Sequence, residues 1–333
     1  MPVLPPHITN FTTFKRFPVV SQLVILGILL VMIFSPWLKE QITPTQNNLS
    51  PIQPALPQPT NTATITLPQK ISDVPIEAKS AYVWDVANQR VLFAKNPNDV
   101  LPLASLTKLM TSLVAVELTD PNQATAVPLS AIRQEGSSGL SAGESLSLRA
   151  LSQLALIASS NDAAHALAAS VGSALEGSAS DNTAQFIKAM NIRANELGFS
   201  SLAFKNATGL DLSPTEAGAY GTARDVTFLL EYILRTYPEL LTITQAEETR
   251  VLNEAGEYHS VVNTNHIVQD IPNVLASKTG YTDLAGGNLT IAYDAGFNRP
   301  IIITVLGSSR EGRFADVLTL LTAVTPALVV PNN

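Results

Sequence analysis

Ser105-Leu106-Thr107-Lys108-Leu109-Met110-Thr111-Ser112-Leu113-Val114 is the stretch from which the rest of the chain can be read. Pro102 lies just before it, and the pattern predicts a helix from near Ser105 through Leu118. Leu106, Leu109, Met110, Leu113 and Val114 fall on one side at helical spacing. Ser105 and Lys108 are three residues apart, so their side chains share a face. A serine hydroxyl is a poor nucleophile near neutral pH and needs a base. An amine can be that base if burial or a neighbouring cation lowers its pKa, and Lys278 is a candidate for the cation. The N–H of Ser105, at the positive end of the helix, is available to an oxyanion. Ser-x-x-Lys alone is weak, since ordinary composition produces it about once in a chain of this size.

Two further motifs follow in order. Ser159-Ser160-Asn161 separates two helical stretches. Its residues are good N-caps, which is reason enough for them to be there. They also suit chemistry: Ser159 can relay a proton between Lys108 and a leaving amine, and Asn161 can bond a substrate amide. Lys278-Thr279-Gly280 ends an apolar strand. Read plainly, it is a surface turn with a solvated lysine. Read as a site, Lys278 and Thr279 grip a carboxylate, and Gly280 leaves room for a substrate backbone on the strand edge. The N–H of Tyr281 then supplies a second oxyanion donor. The three motifs together meet the needs of acyl transfer through a serine ester, without histidine, aspartate or metal.

Around these motifs the chain predicts an α+β fold. Ala81–Val86 and Arg90–Ala94 read as a hairpin across Ala87-Asn88-Gln89. The middle is helical: Leu148–Ala158 with Ser147 as N-cap, Asp162–Ser170, Asn182–Leu197 closed by Gly198, and Thr222–Thr236 ended near Pro238. Strands return over Tyr258–Ile267, Val274–Ser277, Gly287–Tyr293 and Arg299–Leu306, and a last helix covers Arg313–Val324. Strands at both ends with helices between them predict one antiparallel sheet flanked by helices, with a helical lobe beside it. The first and third motifs are expected at the seam.

Bulk properties narrow the function. The chain has 333 residues, net charge −7 and only 20 Lys+Arg, with no sign of nucleic-acid binding. It has no cysteine, and its four histidines are scattered, so no metal site and no thiol chemistry are expected. Residues 1–16 read as a cytoplasmic N-terminus and 17–38 as a transmembrane anchor. Phe17 to Trp37 is apolar and uncharged, and at 1.5 Å per residue it spans roughly 30 Å. Lys15 and Arg16 precede it, which places the remainder outside the cytoplasm. A cleaved signal peptide is the competing reading, disfavoured by the long run and the poor cleavage site at Ser35-Pro36-Trp37. Residues 39–73, rich in Pro, Thr, Asn and Gln, read as a flexible linker, 74–326 as the catalytic domain and 327–333 as a tail.

With these residues in view, the chain resembles the D-alanyl-D-alanine carboxypeptidase family of low-molecular-mass penicillin-binding proteins. The likeness includes Leu103–Thr111, Gly143-Glu144, Ser160–Ala164, Phe186–Asn191, Thr208–Asp211, Thr222–Asp225, Asn263-Thr264-Asn265 and Ser277–Thr282, and it covers roughly Val74 to Thr322. It implies the penicillin-recognising serine transferase fold. It also implies Ser105 as the acylated residue, Lys108 as base, Ser159 and Asn161 as supporting groups, and Lys278 and Thr279 as carboxylate binders. The implied substrate is a peptidoglycan stem peptide ending in D-Ala-D-Ala, with β-lactams as acylating mimics and no cofactor. Many relatives carry a β-rich domain and a C-terminal amphipathic anchor after the catalytic part; here the N-terminal span is expected to take the anchor's place. Relatives often have Gly near the lysine of the third motif, where this chain has Ala276-Ser277.

Three other readings compete. A class A β-lactamase needs a deacylating carboxylate, usually in Glu-x-x-Leu-Asn, and no such string follows Asn161. A D,D-endopeptidase acting on cross-links uses the same residues. A tethered wall-binding module without catalysis has no reason to keep Ser105, Lys108, Ser159, Asn161 and Lys278 together.

Overall fold

The computed structural model describes residues 71, 73–136, 139–175 and 182–328. The expected anchor and nearly all of the expected linker lie outside them. Among the described residues, no helix is long and apolar enough to cross a membrane. The strands are β1 Ser80–Asp85, β2 Arg90–Lys95, β3 Leu101–Pro102, β4 Ala124–Ala126, β5 Ser145–Ser147, β6 Ala203–Phe204, β7 Ala219–Gly221, β8 Glu248–Leu252, β9 Tyr258–Val262, β10 Val274–Thr282, β11 Gly286–Asp294 and β12 Pro300–Ser308. The helices are α1 Thr107–Leu118, α2 Leu148–Ile157, α3 Asn161–Ala174, α4 Asn182–Glu196, α5 Ala223–Thr236, α6 Pro238–Leu241 and α7 Gly312–Leu328.

One five-stranded sheet, in the order β10-β11-β12-β1-β2, joins the two ends of the domain, and every neighbouring pair is antiparallel. Alternation along the strands assigns the two faces. Ala81, Val83, Leu289, Ile291, Ile303 and Val305 pack with Phe314, Val317, Leu320 and Val324 of α7. Tyr82, Trp84, Ala292 and Ile302 face the opposite way and join the core of the helical lobe. All six residues of β1 are buried, because both faces of that strand are covered. Each buried Val, Leu, Ile or Phe contributes about 1.5–3 kcal/mol. α5 lies on the lobe face, where Thr227 donates to Thr304 at 2.7 Å and Trp84 donates its indole N–H to Glu231 at 2.8 Å.

Side-chain caps set the helix starts. Ser147, Ser160 and Thr222 accept from the N–H groups of Ala150, Ala163 and Asp225, so Ser147 caps α2 as its sequence position predicts. Several boundaries differ from the sequence expectation: β10 runs past Ser277 to Thr282, and α3 runs past Ser170 to Ala174. Ala104–Leu106 is a 3₁₀ turn, and the α-helix begins at Thr107. The expected Tyr258–Ile267 strand stops at Val262 and pairs with β8, an element the sequence reading did not contain. The last helix runs past Val324 to Leu328. Ile71, assigned by composition to the linker, donates its N–H to Leu92 of β2 at 2.9 Å. The reason is common to these cases: a backbone partner or a packing surface supplied elsewhere in the chain overrides local composition.

Candidate active site

Four pieces of chain converge at the seam between the lobe and β10. The 3₁₀ turn carries Ser105, and the first turn of α1 carries Lys108. The break between α2 and α3 carries Ser159, Asn161 opens α3, and the loop after β9 carries Thr264. Ala104 (φ 47°) and Ser159 (φ 57°) both occupy the left-handed region that non-glycine residues avoid. The strain sits at the residue preceding the candidate nucleophile and at the serine of the second motif.

Lys108 is fully buried. Its Nζ donates to Ser105 Oγ at 2.8 Å, to Asn161 Oδ1 at 2.7 Å and to the Thr208 carbonyl at 2.6 Å. The Thr208 carbonyl is held by a loop that Asn206 folds back on itself, its Oδ1 accepting from the N–H groups of Thr208 and Gly209. Gly209 has φ +81°, and a Cβ there would lie 1.9 Å from the Ala104 carbonyl oxygen, so only glycine lets this loop reach the lysine. Burial lowers the Lys108 pKa to about 7. An amine in that range is available as a base at neutral pH.

Lys278 is also buried, and its Nζ donates to Ser159 Oγ at 2.9 Å and to the Thr279 carbonyl at 2.8 Å. Desolvation holds its pKa well below the usual lysine range, and the charges of Lys108 and Arg313 push the same way. Two buried amines that repel each other do not both stay protonated. A carboxylate arriving at Lys278 favours the charge there, which leaves Lys108 neutral. Thr279 Oγ1 lies 2.6 Å from Thr264 Oγ1, and the Thr264 N–H is anchored on the Ile157 carbonyl at 3.1 Å.

The edge of β10 divides by parity. Gln245 donates to the Leu275 carbonyl, and Ser277 donates its N–H to Thr244 Oγ1, so odd-numbered residues direct their backbone groups away from β11. The Thr279 carbonyl, bonded by Lys278, fits this pattern. Arg313 on α7 donates to the Gly280 carbonyl at 2.7 Å from the sheet side. The C=O and N–H of one trans peptide point in opposite directions, so the Tyr281 N–H faces the open edge, as does the Tyr281 carbonyl. A Cβ on Gly280 would come within 2.9 Å of the Leu103 carbonyl oxygen and 3.1 Å of the Ser105 nitrogen. Glycine therefore allows the two oxyanion donors, the N–H groups of Ser105 and Tyr281, to sit across one narrow gap.

The family described as D-alanyl-D-alanine carboxypeptidase matches residues 65–310. The chain belongs to that family. Over 259 residues it is 31% identical to a D-alanyl-D-alanine carboxypeptidase of Bacillus subtilis, covering 76% of this chain and 63% of the relative's length. It is 32% identical to a D-alanyl-D-alanine endopeptidase of Pseudomonas aeruginosa, covering 72% of this chain and 75% of that protein. The ampicillin-bound crystal structure of penicillin-binding protein D2 from Listeria monocytogenes superposes with a TM-score of 0.61 at 29% identity, over 75% of this chain and 98% of that one. The penicillin-binding fold implied by the motifs is the fold of this family member.

Within the D-alanyl-D-alanine carboxypeptidase framework, the structure brings together Ser105, Lys108, Ser159, Asn161, Lys278, Thr279, Gly280 and Tyr281. Ser159 Oγ accepts from Lys278 Nζ. Asn161 Oδ1 accepts from Lys108, and its Nδ2 donates to the Glu135 carbonyl at 2.7 Å, so this side chain also orients the lysine. Three groups escaped the sequence reading as functional: the Thr208 carbonyl, the Thr264 hydroxyl and the Arg313 guanidinium. Asn206-Ala207-Thr208-Gly209, with its turn-forming Asn and Gly, was the available signal for the first. Among the described residues, no cluster of acidic or histidine side chains is suited to a metal.

Proposed function

We propose that the chain is a serine-type D-alanyl-D-alanine carboxypeptidase that removes the terminal D-Ala of peptidoglycan stem peptides through an ester on Ser105. One observation carries this reading: a buried amine with a pKa near 7 lies 2.8 Å from the Ser105 hydroxyl, beside an open strand edge. The substrate adds to that edge as an antiparallel strand, with its terminal carboxylate at Lys278, Thr279 and Thr264 and its acyl part continuing past Tyr281. Neutral Lys108 takes the Ser105 proton as Oγ bonds to the penultimate D-Ala carbonyl carbon. The carbonyl π pair moves to oxygen, between the N–H groups of Ser105 and Tyr281. The oxyanion pair then re-forms the carbonyl as the C–N bond breaks, and the departing amine takes a proton from Ser159, which Lys278 replaces; Lys278 regains a proton from solvent. Once D-Ala leaves and Lys108 has returned its proton to solvent, water enters. It gives a proton to Lys108 and bonds to the ester carbon, and Ser105 Oγ leaves with that proton.

β-Lactams enter the same chemistry as acylating mimics. The apolar run at 17–38, preceded by Lys15 and Arg16, supports a single-pass anchor that keeps the domain on the extracytoplasmic side of a bacterial membrane.

A fluorescent penicillin should label the full chain covalently, and Ser105→Ala should abolish labelling; labelling that persists in the variant would falsify the nucleophile assignment. Mass spectrometry of products from a stem pentapeptide should show free D-alanine. Cleavage of cross-linked dimers alone replaces this reading with the endopeptidase one, which relatives such as the Pseudomonas protein keep in play.

A further inference from the structure

The open edge does not end at the oxyanion donors. The Tyr281 side chain, 40% exposed, projects from β10 on the same face as Thr279. Arg310, in the turn between β12 and α7, holds its guanidinium carbon 5.0 Å from the centre of the Tyr281 ring. Both side chains are exposed, and among the described residues Arg310 makes no ion pair. Of the neighbouring charges, Glu311 approaches His266 at 3.9 Å, His266 packs at a tilt on Phe314, Arg313 bonds the Gly280 carbonyl, Asp211 accepts from Thr282 Oγ1 and the Leu284 N–H, and Asp283 is exposed. An uncommitted cation, held over an aromatic face, therefore stands one step beyond the point where the scissile carbonyl binds.

We propose that Arg310 and Tyr281 form a subsite for a carboxylate on the side chain of the third residue of the stem peptide. This inference rests on the proposed function for the direction of the substrate. A strand added antiparallel to β10, with its C-terminal carboxylate at Thr279, carries its acyl portion past Tyr281. The third residue, two along from the terminal one, lies about 7 Å along the edge from the carboxylate-bearing residue, within reach of the Arg310 fork. The preferred substrate class then carries at position three a diamino acid with a second carboxylate beside its amine. A residue ending in the amine alone places like charge against Arg310. The Tyr281 ring keeps the guanidinium plane in place and its donors outward.

Binding tests this without requiring turnover. The full chain bearing Ser105→Ala is titrated calorimetrically with two stem pentapeptides that differ only at position three, diaminopimelate in one and lysine in the other. The diaminopimelate peptide should bind about tenfold more tightly, the scale of one charge-assisted hydrogen bond at a partly exposed site. Arg310→Gln should bring the two affinities together, and Arg310→Lys should restore part of the difference. The difference should shrink as salt rises. Equal affinities in the parent, no measurable binding of either peptide, or a difference that survives Arg310→Gln overturns the proposal. Penicillin labelling of the parent chain reports the serine ester separately. Loss of the serine ester with the binding difference intact sinks the proposed function and leaves this subsite standing.

Discussion

The two halves of β10 have the same backbone and opposite uses. In the lower half, Leu275 and Ser277 turn outward and meet Gln245 and Thr244, so the edge is closed by the protein's own side chains. In the upper half, Tyr281 presents both its N–H and its carbonyl with no such cover, and Arg313 fixes the orientation of the Gly280–Tyr281 peptide from behind. An exposed strand edge is ordinarily a liability. Here it is short, bounded by the buried Lys278, and placed across from Ser105. A binding edge is made by withholding side-chain caps over a few residues of a strand whose lower half carries them at Leu275 and Ser277. The upper half should therefore respond to substitution in rate, and the lower half in stability.

The largest effect is expected at the base. Lys108→Ala removes the proton acceptor while leaving the strand edge intact. The acylation rate by a fluorescent penicillin should fall about 10²- to 10⁴-fold, the usual worth of a positioned general base. Among the described residues the hydrogen bonds of Lys108 go to Ser105, Asn161 and the Thr208 carbonyl, none of them on β10, so circular dichroism should show an unchanged fold. A fall of less than about tenfold means that another group takes the Ser105 proton.

Next is the close approach at Gly280. A methyl group there meets the Leu103 carbonyl at 2.9 Å and Ser105 N at 3.1 Å, both backbone atoms. Gly280→Ala should move the upper edge away from the nucleophile and reduce acylation about 10²-fold, as misplacements near 1 Å do. Unchanged acylation in Gly280→Ala means that Tyr281 does not face Ser105 as described.

The pH dependence follows from Lys108. Its neutral form is the base, so the acylation rate should rise about tenfold per unit below pH 7 and level off above about 7. The native state binds fewer protons at this residue than the unfolded chain does between pH 7 and 10.5, so its contribution to stability becomes more favourable as pH rises across that window. A rate that is flat from pH 5 to 8 contradicts the lowered pKa.

Much of this site was legible because its chemistry needs particular side chains at fixed spacings. Ser105 and Lys108 share a helical face at any tertiary context, and Lys278-Thr279-Gly280 follows an apolar run that is plain in the sequence, although the strand continues through it to Thr282. Backbone contributions were not legible. The Thr208 carbonyl acts on Lys108 from 100 residues away and has no side-chain identity. Arg313 read only as the start of the last helix, and nothing in that reading links it to the Gly280 carbonyl, 33 residues earlier in the chain. β8 was missed because Glu248-Thr249-Arg250-Val251-Leu252 exposes most of its side chains and has only a short alternation. Its partner β9 and the His259–Glu144 and Asn253–Glu144 contacts hold it.

The smallest effect on rate, and the one that isolates the lower half, belongs to Thr244→Val. Thr244 Oγ1 accepts from the Ser277 N–H at 3.0 Å and donates to the Leu241 carbonyl at 2.6 Å, and its side chain is fully buried. Valine has nearly the same shape and no acceptor, so a buried N–H loses its partner. That costs about 1–3 kcal/mol and should lower Tm by roughly 2–4 °C per kcal/mol for a domain of this size. The Ser277 N–H lies four residues below Tyr281, and Lys278 keeps its own bonds to Ser159 and Thr279. Penicillin acylation measured well below the new Tm should therefore stay within about twofold of the parent, since changes away from the reacting atoms leave transition-state binding alone. A tenfold loss of rate at unchanged Tm inverts the division: the cap would then be setting the position of the lysine strand, and the two halves of β10 would be one mechanical unit.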